Sequence, residues 1–339
     1  MKKNISILAM AVVASAFTSC AVAQDGIVPS KNYVTKKVEV GKFDGISTAT
    51  SIDVAYTQTA GSQDVEVYAP DNLMEYVKVT VEDGMLKVRF KNKDSKKGIS
   101  INGNHKTEVR VSAPAVHKLR ASSSGDVILK NGLKTEGEVS MKSSSSGDIE
   151  GENVVCDVLN AESSSSGDVS IKELKAETVN VAASSSGDVS IKELKAETVN
   201  AAASSSGDVI LSGVCRSVNI SASSSGDVEA KNLKANVVNA NASSAGDITC
   251  HAVESLDVTT SSSGSVNYKG DPKHINYHPK KGLKKIDGLR GVKVEMKFAY
   301  HRVILSIAKD LSTSTLCIQI FRTESSTTRL RFVQNDTAF

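Results

Sequence analysis

The sequence predicts an all-β fold, a parallel β-helix or solenoid with about 20 residues per coil and less regular coils at its N-terminal end. Three observations carry that prediction. The run Ser-Ser-Ser-Gly-Asp followed by a β-branched residue occurs at Ser122–Val127. It returns at Ser144–Ile149, Ser164–Val169, Ser184–Val189, Ser204–Val209 and Ser223–Val228. Two altered copies follow, Ser243–Ile248 with Ala245 before the glycine and Ser261–Val266 with Ser265 in place of aspartate. The glycines step by 22, 20, 20, 20, 19, 20 and 18 residues, the spacing of a fold in which each repeat is one turn. Second, odd positions from Thr198 to Leu211 are apolar or small and even ones mostly polar, which is strand alternation with one buried face. Third, residues 164–180 and 184–200 are identical. Such duplication is tolerable only where a coil meets nothing but its neighbours, and it argues against a unique active site inside those two coils.

Taken in order, residues 1–23 read as an export signal: Lys2-Lys3, an apolar run from Ile5 to Phe17, then small residues. Two processing routes are open. Ala21-Val22-Ala23 before Gln24 is an A-x-A site for ordinary signal peptidase. Phe17-Thr18-Ser19-Cys20 is a degenerate lipobox whose Cys20 would carry lipid and tether the protein to a membrane. Phe17 is a poor residue three before that cysteine, so plain cleavage is favoured. No other stretch is long and apolar enough to span a bilayer. The expected location is outside the cytoplasm, in the periplasm, at the outer membrane or on the cell surface.

Residues 24–37 read as a polar leader and 38–297 as the solenoid, with regular repeats over 121–268. Within 38–120, Val38–Val40, Ile52–Thr57, Val65–Tyr68, Val77–Val81, Leu86–Phe90 and Val109–Val111 alternate with period two. Glu82-Asp83-Gly84 marks a tight turn, and Pro70 opens a segment through Tyr76 that is one helical turn or a loop. These are expected to be irregular coils that cap the N-terminal end. In the regular array, four apolar columns should line the core. Val127 to Val266 stand two after each glycine and Leu129 to Tyr268 four after. The other two columns are Val154, Leu174, Leu194, Val214, Leu233 and Val253, and Leu159, Val179, Val199, Val218, Val238 and Val258. A leucine-rich repeat shares the period, but its L-x-x-L-x-L spacing is missing and Ser-Ser-Ser-Gly disfavours a helical return. From Asp271 the pattern fades through Pro272, Pro279 and a basic run into a C-terminal cap ending near Lys297. Residues 298–339 carry no repeat phase and read as a poorly ordered extension.

Stacked coils put equivalent residues about 4.8 Å apart, so outward columns become ladders. Asp126, Asp148, Asp168, Asp188, Asp208, Asp227 and Asp247 form the candidate binding ladder. Neighbouring carboxylates at that spacing repel by roughly 0.9 kcal/mol even in water. The expected compensation is local, from turn backbone or serine hydroxyls. The sharper alternative is a Ca²⁺-stabilised roll, since rows of oxygen ligands suit that ion, although each coil offers only one aspartate. Asn160, Asn180, Asn200, Asn219 and Asn239 should form an architectural amide ladder. The middle serine of each triplet has inward parity and is expected to be buried, the glycine to make the corner, and the flanking serines to form an outer hydroxyl strip.

Little else carries chemistry. The net charge of +3 over 339 residues, without a dense basic block, implies no nucleic-acid partner. Cys156 and Cys215 fall in one column about 14 Å apart, beyond the ~7 Å reach of a disulfide, and Cys250 falls in the Ile/Leu column. No histidine lies between His117 and His251, so no base accompanies the serines. No catalytic residue, resident metal or cofactor is assigned. A polysaccharide-processing β-helix remains the enzymatic alternative, weakened by the absence of aromatic residues between Phe90 and Tyr268.

One family resemblance is carried by Phe43-Asp44-Gly45-Ile46 leading to Ile52-Asp53-Val54, by Val65 to Leu73, by Val81 to Val88, by Val109–Pro114 and by the Ser-Ser-Gly-Asp-Val coils. The chain resembles the auto-transporter adhesin head GIN domains of Bacteroidetes over roughly 38–290. The resemblance implies a β-helix-like fold and an envelope or surface location, and it carries over no catalytic residues. The resulting expectation is a non-enzymatic, adhesin-like binding or structural module whose ligand is a surface glycan or protein.

Overall fold

The computed structural model describes residues 26–91, 99–278, 282–286, 317–321 and 329–333. The export segment 1–23, with Cys20, lies outside the described residues. The chain forms a β-solenoid of about eight turns with about 20 residues per coil. Each coil has two walls. In one of the identical coils the first wall is Val169–Lys175 and the second Thr178–Ser184; the next coil runs both together as Val189–Ser204. All pair in parallel with the coils before and after, Val169 between Ile149 and Val189, Val179 between Leu159 and Val199.

Alternation decides what each wall buries. Val169, Ile171 and Leu174 point inward from the first wall, and Val179, Val181 and Ala183 from the second, all buried. Burying one such branched side chain stabilises by about 1.5–3 kcal/mol, and the columns recur from coil to coil with smaller residues at Gly151, Gly213 and Ala230. Alanine dominates beside the corner (Ala183, Ala203, Ala222, Ala242), where the two walls converge.

Among the regular coils, the register shifts fall on the first wall. The register between coils shifts at Ile191/Leu194, at Ile210/Ser212 and between Glu229 and Val237. These shifts move two expected core residues outward: Val214 and Val253 are 48% and 44% exposed. Gly213 takes the place beside Leu194 and Leu233. Val258 likewise pairs with Ala240, and Leu256 fills the column next to Val238. The second wall keeps one register throughout.

The N-terminal region contains β1 (Tyr33–Lys37), β2 (Gly45–Thr48), β3 (Asp53–Gln58), β4 (Asp64–Pro70), β5 (Val77–Glu82), β6 (Met85–Phe90), β7 (Glu108–Ala113), β8 (Lys118–Ser122) and β9 (Val127–Leu129). β2 and β3 continue the solenoid, pairing in parallel with β8 and β9. Beyond them the pattern departs from simple coils. β4 runs antiparallel between β1 and β7, and β5–β6 is a hairpin turned by Asp83 and Gly84, both at positive φ. The expected leader therefore contributes a strand, β1, whereas Val38–Val40 lies outside any strand. Met74–Tyr76 is a short 3₁₀ turn. Tyr56 is buried here and donates to the Pro114 carbonyl at 2.6 Å; burial pushes its phenol up to about 12.

At the other end the array extends past 268. His274–His278 pairs in parallel with the preceding second wall, and Leu283–Lys285 with Val266–Tyr268. The rest of the expected cap, to Lys297, lies outside the described residues. In the tail, Cys317–Phe321 pairs antiparallel with Arg329–Val333 in a sheet of its own; the remainder of 298–339 lies outside the described residues.

Candidate functional site

The repeated motif forms the corner between coils. The second and third serines both adopt positive φ, as at Ser185 (54°) and Ser186 (69°), and the glycine N–H returns to the first serine, Gly187 to Ser184 at 3.1 Å. That is a type I′ turn, which requires positive φ at both central positions. Two left-handed residues break the strand alternation, so the inward parity expected for the middle serine fails. Ser123, Ser145, Ser165, Ser185, Ser205, Ser224, Ser244 and Ser262 are all exposed. The glycine is needed for space instead of a positive φ. A Cβ at Gly207 would lie 2.5 Å from Ser184 N of the preceding coil.

The seven aspartates line up as a ladder, and their compensation comes from the next coil. Asp148 N donates to Asp126 Oδ1 at 2.9 Å, Asp168 to Asp148 at 2.8 Å, and Asp188 to Asp168 and Asp208 to Asp188 at 2.9 Å each. Asp227 and Asp247 continue it at 3.2 and 3.1 Å. The expected local capping gives way to this because the strand that follows the turn presents its N–H toward the coil before it. Asp53, which sequence reasoning left out, is the first rung: Asp126 N donates to its Oδ1 at 3.3 Å. The Ile52-Asp53-Val54 phase was the available signal. Ser265 closes the row, donating to Asp247 Oδ1 at 2.6 Å. Burial raises the carboxyl pKa of Asp126 and of Asp208, and neighbouring carboxylates (Asp53; Asp188 and Asp227) add to it.

On the second wall the asparagines form a different ladder. Asn180 Nδ2 donates to Asn160 Oδ1 at 2.7 Å, and Asn200, Asn219 and Asn239 each donate to the preceding amide at 2.8 Å. The first rung, Asn160, donates to Glu138 Oε1 at 2.6 Å. Two residues beyond the asparagines, on the same outward side, stand Glu162, Ala182, Ala202, Ser221 and Asn241, small in the three middle coils. Small groups beside a raised amide row leave a trough of about 630 Å³ that runs across the strands from Asn160 to Asp257. Six rungs separated by about 4.8 Å make it about 24 Å long. An amide has two donors and two acceptor sites, so each rung keeps one N–H and one lone pair after bonding its neighbours. Sequence reasoning found the ladder and missed the trough, whose signal was the Asn-x-Ala/Ser spacing repeated in the three middle coils.

The remaining candidates do not converge. Gly151 replaces the Ile/Leu of its column, and a second hollow, of about 430 Å³, lies on the outer face among Lys130, Glu150, Glu152, Lys172 and Lys192. Cys156, Cys215 and Cys250 are free and buried. Burial pushes their thiols up to about 11, 12 and 12, which holds them protonated and unreactive. His117 meets Thr135 Oγ1 at 3.0 Å; His274 and His278 are exposed on one strand. Among the described residues no three His, Cys, Asp or Glu side chains gather to hold a metal, and no helix is long and apolar enough to cross a membrane.

The family model described as "Putative auto-transporter adhesin, head GIN domain" matches residues 42–172 and 161–272. The fold is similar to solved structures described as a "putative adhesin from Parabacteroides distasonis ATCC 8503" (21% identity, TM-score 0.59, covering 78% of this chain and 100% of that one) and a "putative adhesin from Parabacteroides merdae ATCC 43184" (20% identity, TM-score 0.57, covering 77% and 99%). It is also similar to a "Putative lipid binding protein from Parabacteroides distasonis ATCC 8503" (21% identity, TM-score 0.55, covering 77% and 99%). At these identities the likeness is one of fold. No curated protein matches the chain. Because the family pattern runs from the capped first coil through the regular array, the chain belongs to the auto-transporter adhesin head GIN domain family.

Proposed function

We propose that this protein is an exported, non-enzymatic adhesin-like module of the cell envelope that holds an extended, repetitive ligand along its asparagine face. The observation that carries the reading is the trough beside the amide ladder, which offers one spare donor and one spare acceptor per coil. A single rung contributes little, but a ligand spanning several rungs gains as linked sites do. Export is supported by Lys2-Lys3 and the apolar run that follows, and a surface role by the family. The aspartate row has one oxygen of each carboxylate engaged by the next coil, so it serves stacking first and faces outward with the other.

The test is capture on an array of glycans and matrix proteins by the wild-type protein and by the double variant Ala182→Arg/Ala202→Arg. The two long side chains would fill the trough while staying outside the core. Loss of capture with an unchanged circular dichroism spectrum is expected. Undiminished capture would move the contact surface elsewhere, and polysaccharide turnover abolished by one charge substitution would replace the binding reading with an enzymatic one.

A further inference from the structure

The amide ladder has a direction, and its two ends differ. Every asparagine donates toward the N-terminal end of the solenoid, and all but the last accept from the C-terminal side. Glu138 fixes that direction, because a carboxylate only accepts and it takes the first N–H, from Asn160 at 2.6 Å. The last rung, Asn239, therefore turns its Oδ1 toward the next residue in register, and that residue is Asp257. A ladder with one donor end meets a carboxylate at both ends, and only Glu138 is satisfied. The following residue in register, Asn276, makes no hydrogen bond to Asp257. Among the described residues nothing donates to Asn239 Oδ1 or to Asp257. Both line the end of the trough, with Thr259 on the same side. At the opposite end Glu138 already accepts the Asn160 N–H, and Glu162 is paired with Lys142 at 2.6 Å.

We propose, on the groove reading above, that the C-terminal end of the trough takes the ammonium group of an amino-sugar glycan. An ammonium has three N–H donors and no acceptor, which matches the Asp257 carboxylate, Asn239 Oδ1 and the Thr259 hydroxyl. Apart from Glu162 at the far end, the rest of the floor is uncharged amide, hydroxyl and alkyl groups, which suits a polyhydroxylated chain. A peptide suits it poorly: the trough crosses the strands and has no free sheet edge along it, and a peptide's rise of about 3.3 Å per residue is out of step with the coils.

The experiment titrates the full folded chain with equal-length oligosaccharides of glucosamine and of N-acetylglucosamine, before and after Asp257→Asn. The wild type should favour the free amine by roughly three- to five-fold at low salt, the range of an exposed ion pair. Asp257→Asn should erase that preference by weakening glucosamine binding more than N-acetylglucosamine binding. Its thermal transition should hold or rise, because the new amide can donate to Asn239 Oδ1. Equal binding of both sugars by the wild type, or a preference that survives the substitution, overturns the ammonium site and leaves the groove standing. If neither sugar binds, the glycan class falls with it. Binding of a lysine-bearing peptide in their place, lost in Asp257→Asn, also overturns the glycan class.

Discussion

The aspartate row and the asparagine row run side by side along the same coils, and they solve stacking in opposite ways. Asparagine is its own complement: each amide gives an N–H to the one before it. Aspartate cannot pair with itself, and adjacent carboxylates at this spacing cost about 0.9 kcal/mol per pair in water. The chain resolves this by giving each carboxylate the main-chain N–H of the next aspartate. One row therefore spends its side chains on the backbone and sits at a tight corner. The other keeps unused donors and acceptors on an open face. The difference separates a row that builds the coil from a row that is free to meet something else.

Four experiments would break or sharpen that contrast. The largest effect is expected at the corner, from Gly207→Ala, whose Cβ would press on Ser184 N at 2.5 Å and Cα at 2.7 Å. Backbone held from both sides cannot retreat, so a loss of about 3 kcal/mol is expected in chemical denaturation. A loss under about 1 kcal/mol would show that coils separate cheaply. Next comes Asn200→Ala, which strands Asn219 Nδ2 and Asn180 Oδ1 on a solvated face and should cost about 1 kcal/mol; no change in melting would make the ladder decorative.

Asp208→Asn should do the reverse and stabilise. Burial and the flanking Asp188 and Asp227 raise the folded pKa of Asp208, so the native state binds its proton more readily than the unfolded chain does. The ionised form then costs stability above the folded pKa, and the cost disappears below the unfolded one. The amide keeps an Oδ1 for Asp227 N. The variant should melt slightly higher at neutral pH, with the gap closing as pH falls through the carboxylate range. A gap that widens in acid would contradict the repulsion account. The smallest effect is expected from EDTA or added Ca²⁺. With one aspartate per coil, already engaged by an N–H, neither should move the thermal transition, and a clear upward shift with Ca²⁺ would revive the roll.

The coil was legible because Gly-Asp-Val repeats at one period and its apolar columns keep phase over several coils. The same reasoning failed where phase was carried through a corner. Extrapolating alternation across two left-handed serines put Ser185 inside, and extrapolating past short repeats put Val214 and Val253 inside. The antiparallel strands at the N-terminal end lacked a period, so Tyr33–Lys37 read as leader until its partner Asp64–Pro70 fixed it. The trough was invisible for another reason. It is made by what Ala182 and Ala202 lack relative to the amides beside them, and a missing side chain leaves no motif.

Among the regular coils, the register shifts are absorbed on the first wall, while Thr178–Ser184 and its counterparts stay in step. The solenoid thus has a slack side and a taut side, like a hinge-bound ledger whose pages may differ in width but are trimmed flush along one edge. Mutation can shorten a repeat, or copy one whole as in 164–180 and 184–200, without roughening the taut side. Lineages that gain or lose coils should differ in the reach of that face and not in its texture.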